Sequence, residues 1–194
     1  MAAVPIPITG DDDADGFLAE NPLALLVGML LDQQVPMEWA FRGPWTLAER
    51  LGTLDVPTVI AMDTEDFVEV CARKPAIHRF PASMGRRIHQ MCEVLAEDFD
   101  GDPASVWTGA TGAEDLRDRL RSLPGYGEEK TKIFIAILAK RMGVTPDGWQ
   151  EVAAPFSDDE PRSVADIDSE ESLGRVRDWK KMMKAAKKSK SDAV

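Results

Sequence analysis

The 194-residue sequence predicts an all-α fold on three observations. Apolar residues recur at spacings of three and four. No segment sustains the alternation of period two that marks a half-buried strand. Prolines and glycines punctuate the apolar windows at short intervals, as in helices joined by brief connections. A chain of this length buries one sizeable core or two small lobes.

Each element follows from local signals. Residues 1–16 read as irregular, with Pro5, Pro7 and an acidic Gly10-Asp11-Asp12-Asp13 stretch. Residues 17–34 are strongly apolar, and Leu23, Leu26, Val27, Leu30 and Leu31 share a helical face. Pro22 suits a first turn, and Pro36 marks the stop. A short helix from Met37 to Phe41 and another from Pro44 to Leu51 follow, the second ended by Gly52. Pro57 to Ala61 reads as a helical turn. Thr64-Glu65-Asp66 starts a helix reaching Arg73. A long helix runs from Pro81 to Asp98, with Ile88, Met91, Cys92 and Leu95 on one stripe. Asp102-Pro103 and Trp107-Thr108-Gly109 read as loop. Helices then span residues 112–122 and 129–142. Residues 155–172 read as an acidic linker or a loosely packed segment. A basic helix over 175–188 has Val176, Trp179 and Met183 as its apolar side.

Composition narrows the class. Hydrophobic residues make up 44% and charged residues 29% of the chain, as in soluble globular proteins. No apolar run approaches membrane-spanning length, so no membrane partner is expected. The N-terminus lacks a basic region and a hydrophobic signal core, which makes a cytoplasmic protein the expectation. Cys71 and Cys92 are too few for a cubane iron–sulfur cluster, and His78 and His89 have no metal-ligand spacing with them. No metal or other cofactor is expected. The sequence sets no oligomeric state.

Charge is unevenly placed on a chain whose net charge is −11. Eight basic residues lie from Arg175 onward against Asp178 and Asp192, leaving 15 basic and 32 acidic side chains before them, a net of −17. Such a body implies weak, salt-sensitive attraction to phosphate. The basic tail reads either as a solvated segment or as an arm that tethers nucleic acid.

The most telling stretch is Leu123-Pro124-Gly125-Tyr126-Gly127-Glu128-Glu129-Lys130, followed one helix later by Gly143-Val144-Thr145-Pro146-Asp147. Two glycines between helical segments form a tight hairpin whose backbone N–H groups suit a phosphate. A lone carboxylate then follows a Gly/Pro loop. This pairing resembles the helix-hairpin-helix/Gly-Pro-Asp superfamily of DNA base-excision glycosylases, the family of endonuclease III, over about residues 20–150.

The resemblance implies a two-lobed helical glycosylase fold. A barrel lobe would span residues 20–146, with the hairpin over 113–142. Residues 1–19 and 147–194 would form the second lobe, and double-stranded DNA would lie between them. Gly125, Tyr126, Gly127 and Lys130 would sit on the DNA, with Tyr126 near its backbone. Gln33 and Gln34 match an element that fills the gap left by an extruded base, Gln34 the better of the two. Asp147 would be the catalytic carboxylate, stabilising an oxocarbenium-like sugar and orienting water; an alternative is that it caps the next short helix. Glu129 stands where members with lyase activity have a Schiff-base lysine. A glutamate forms no imine, so the resemblance implies a monofunctional enzyme. Lys130, one residue on, is rotated by roughly 100°. Glu129 is also a pocket candidate with a catalytic or base-reading role, and reads equally as a favourable first-turn charge. Trp39 and Trp149 are candidates for stacking on a base, although most tryptophans belong to cores. The rival reading is a catalytically inactive DNA- or protein-binding module on the same scaffold.

Overall fold

The computed structural model describes residues 6–186, which are helical with no strand among them. Eleven α-helices occur in the described residues: α1 (Asp12–Glu20), α2 (Pro22–Leu31), α3 (Met37–Leu51), α4 (Val56–Ile60), α5 (Thr64–Ala72), α6 (Pro81–Asp98), α7 (Ser105–Thr108), α8 (Ala113–Ser122), α9 (Glu128–Met142), α10 (Trp149–Ala153) and α11 (Glu170–Ala185). A 3₁₀ turn lies at Val164–Asp166. No single described helix is long and apolar enough to cross a membrane.

Helix α2 is the axis of the molecule. Every residue from Leu23 to Leu31 is buried, the condition of a helix that is apolar all round. It packs against α1, α3, α6 and α9. The Asn21 side chain caps it by accepting from Ala24 N at 3.0 Å, and Pro22 occupies its first turn. Gly28 faces the Phe41 ring, where a Cβ would come within 2.6 Å of a ring carbon. The middle of α9, Ile133 to Leu138, is buried as fully. Buried residues from Ile6 to Val176 join in one core cluster.

Four expectations change. Residues before 17 are not irregular throughout: Asp11 caps α1, and the buried Asp15 carboxylate accepts from Ile8 N and Thr9 N at 3.1 and 2.8 Å. The two short helices around Pro44 are one, α3, because tertiary packing outweighs the single backbone bond that Pro44 removes. The Trp107 loop contains the short helix α7, with Trp107 buried. Residues 155–172 are packed rather than loose. Phe156, Ser163, Val164, Ala165 and Ile167 are buried, and Arg162 is held by Asp158 at 2.6 Å. The partly buried Lys140 ammonium binds Asp166 at 2.6 Å and fastens this segment to α9.

The expected lobe boundary at 146/147 falls between α9 and α10, which pack on each other, and α1 packs on α2 and α3. The basic helix is the described part of the tail. Val176 and Trp179 enter the core, and Arg177 binds Glu38 of α3 at 2.6 Å. Lys187, Lys188 and Lys190 of the expected tail lie outside the described residues.

Candidate nucleic-acid interface

The hairpin forms between α8 and α9. Leu123 and Tyr126 turn inward, and Gly125 and Gly127 face outward. Gly125 has φ +84°, in the left-handed region, and a Cβ there would overlap Leu30 Cδ1. Glycine is therefore required both by conformation and by the close approach of α2. Gly127 is the N-cap of α9, and no side chain caps this end. The first-turn N–H groups of α9 are thus left without a side-chain cap, beside the carboxylates of Glu128 and Glu129.

Tyr126 does not meet the outside. It is 4% exposed, and its hydroxyl donates to the Leu26 carbonyl at 2.8 Å. Its ring packs edge-on against Phe134. Burial raises its phenol well above the ordinary value. The expectation that it contacts DNA is corrected: between two glycines, the one large side chain is the hairpin's anchor to α2.

The C-terminal end of α2 and the start of α9 converge on a cavity of about 370 Å³. Met29, Val35 and Ile133 supply its apolar lining. Asp32, Gln33, Gln34 and Glu129 supply polar groups, and Lys130 and Lys180 supply positive charge. Lys130 donates to the Leu30 carbonyl. Both Glu129 and Lys130 line this space, despite the rotation between successive helical residues. Lys180 arrives from α11, 50 residues beyond Lys130, and nothing in its local sequence marks it as part of this group.

Gln33 and Gln34 also line an adjoining cavity of about 270 Å³ with His78, Phe80, Met84 and Arg87. Gln33 is pinned, its amide donating to Met84 Sδ at 3.0 Å and its carbonyl bonding His78 Nε2 at 2.9 Å. Phe80 N donates to His78 Nδ1 at 3.1 Å. This fixes a neutral ring with its proton on Nε2, and burial pushes the imidazole below its ordinary value of 6.5. Gln34 is exposed and has φ 57°. That left-handed conformation costs a non-glycine residue about 1 kcal/mol or more. The side chain that projects is the one on strained backbone.

Beside this turn lies an aromatic and basic edge, of which sequence reasoning singled out Trp39 and missed Phe80 and Arg79. Phe80 is 44% exposed with the Arg79 guanidinium 4.8 Å from its ring centre. Trp39 is 39% exposed, donates to the Ala76 carbonyl at 2.9 Å and lies against His78. The signal available was His78-Arg79-Phe80-Pro81, an aromatic between a basic residue and a helix-starting proline.

Asp147 is elsewhere. It is exposed, and its carbonyl accepts from Ala113 N at 3.4 Å, at the end of α8 remote from the hairpin. Helix lengths at 1.5 Å per residue place it on the order of 15–20 Å from the hairpin. It lines neither cavity described above. It does not cap α10 either, since Gly148 is the N-cap and no side chain bonds there. Trp149 is half-buried and packs on the core at this same end. The structure therefore brings Gln33, Gln34, Glu129 and Lys130 together, and leaves Asp147 and Trp149 apart from them.

A groove of about 660 Å³ between α8, α9 and α10 carries charges that mostly satisfy one another: Arg117 with Glu114 and Asp118, and Lys132 with Glu128. Cys71 and Cys92 are buried and separate, and burial pushes both thiols up to about 12. Neither is a nucleophile at neutral pH.

No family model, no curated protein and no solved structure matches this chain.

Proposed function

We propose that this protein is a monofunctional DNA glycosylase of base-excision repair, on the plan of the helix-hairpin-helix/Gly-Pro-Asp superfamily. It binds the backbone of duplex DNA with its hairpin and receives an extruded base in the cavity between α2 and α9. The observation that carries this reading is the meeting of the outward glycines of the hairpin, the projecting Gln34 and the cavity lined by Glu129, Lys130 and Lys180. The backbone at Gly125 and Gly127 would approach a phosphate, Gln34 would enter the duplex, and the cavity is of the size class that takes small molecules. Phe80 and Trp39 offer faces to unstacked bases, with Arg79 and Arg87 beside them for phosphate.

Glu129 stands where members with lyase activity carry their Schiff-base lysine, and a carboxylate forms no imine. Base loss would therefore occur by hydrolysis, with the DNA strand left intact. The test is a panel of duplexes bearing uracil, oxidised guanine, alkylated purines and mismatches. The expected result is release of free base from one class, without covalent trapping by borohydride. Efficient trapping would overturn the monofunctional assignment.

The displaced Asp147 favours a second reading, a DNA-binding module on the same scaffold that holds an extruded base without cleaving it. Tight binding to lesion duplexes with no base release from any of them would decide for it.

A further inference from the structure

We infer that Glu129, rather than Asp147, is the catalytic carboxylate of this protein; the inference rests on the glycosylase reading above. Hydrolysis at a sugar carbon needs a carboxylate beside the space that the nucleotide enters. Among the described residues, only Glu129 and Asp32 bring carboxylates to that cavity. Their surroundings differ. Glu129 lies in the first turn of α9, at the positive end of its macrodipole. Asp32 is the C-cap of α2, at the negative end. A fixed carboxylate is favoured at the first position and disfavoured at the second. Lys130 is the next residue to Glu129, and Lys180 faces the same cavity from α11.

The step balances with water alone. Glu129 takes a proton from a water molecule as the water oxygen bonds to C1′. The C1′–N bond breaks, its electron pair goes to the base nitrogen, and the base leaves after accepting a proton. That proton returns through Glu129 or solvent, so the net change is one water consumed. The same carboxylate faces the positive charge that develops on the sugar. Asp147 lies near the far end of that helix, where Asp166 binds Lys140 and Asp168 pairs with Arg141.

The experiment uses the full chain, with base release measured in single turnover and DNA affinity by fluorescence anisotropy. Glu129→Gln keeps the size and exposure of the side chain, and circular dichroism checks its fold. The expected result is a loss of base release of at least 100-fold in Glu129→Gln, with affinity equal or higher because a negative charge leaves the interface. Glu129→Asp is expected to keep part of the rate, and Asp147→Asn to stay within twofold of wild type. Glu129→Gln activity within threefold of wild type would overturn the inference, as would an equal loss in Asp147→Asn. Wild-type protein that binds lesion duplexes and releases nothing refutes catalysis by Glu129 and leaves the DNA-binding reading standing. Protein that binds no duplex at low salt refutes that reading itself.

Discussion

Replacing Tyr126 with Phe separates an anchor from a DNA contact. The hydroxyl is fully enclosed and donates to a carbonyl inside α2 at 2.8 Å. Removing it deletes one buried neutral hydrogen bond, for which a net loss of about 1 kcal/mol is usual. The ring remains, so its packing against Phe134 is retained and no large cavity forms. For a chain of this length 1 kcal/mol corresponds to about 3 °C in Tm. Tyr126→Ala, which also removes the ring, should cost about 3–5 kcal/mol. The assay pairs thermal melting, followed by circular dichroism, with fluorescence anisotropy on a lesion duplex. The expected result for Tyr126→Phe is a Tm lower by about 3 °C and unchanged DNA affinity. An unchanged Tm with weakened binding would refute the reasoning, because it would place the hydroxyl on the DNA.

Other expectations follow from named contacts. Gln34→Ala should weaken binding to a duplex with an extruded base while leaving Tm within about 1 °C, since an exposed side chain on a turn contributes little to stability; equal affinity for the two proteins would remove Gln34 from the interface. Lys140→Met should destabilise by about 3 kcal/mol in urea, because Asp166 would be left buried without its counter-ion, and adding Asp166→Asn should recover much of the loss; a double variant as unstable as the single would contradict the pairing. His78 lies below its ordinary value of 6.5 in the folded protein, so the unfolded chain binds more protons as pH falls. Stability from this residue is complete above pH 6.5 and is lost as pH drops through and below it. Melting at pH 7.5 and 5.5 should show a smaller drop for His78→Gln than for wild type, and identical drops would contradict this.

The helices were legible because their signals are local. Pro22 starts α2, Gly52 and Gly143 end α3 and α9, and the apolar spacing of 23–31 marks the axis. Pro44 misled because the backbone bond it removes is visible in the sequence, whereas the packing that holds α3 together is not. The acidic stretch 155–172 misled for a related reason. Its charges read as solvated, yet Asp158 and Asp166 are committed to Arg162 and Lys140, and the few apolar residues between them reach the core. At the candidate site, Gln33, Gln34, Glu129 and Lys130 were legible through the hairpin and the glutamine pair. The place of Asp147 was not, because residue counting along a helix gives separation in sequence and not the direction in which the chain leaves it. Lys180 and Arg87 were invisible because their roles come from helices that meet only in three dimensions.

The projecting glutamine stands just beyond the end of α2, which is buried from Leu23 to Leu31. Segments exchange their amide hydrogens in order of how readily they open, and a helix enclosed along its whole length opens only with the protein itself. The mouth of the cavity is therefore mounted on the stiffest part of the chain, while Lys180 comes from the less deeply set α11. On the proposed glycosylase reading, a nucleotide entering here would meet a frame that does not remould itself around different shapes. Selection among bases would then fall on the DNA: a base that leaves its stack cheaply enters, and one that stays paired does not.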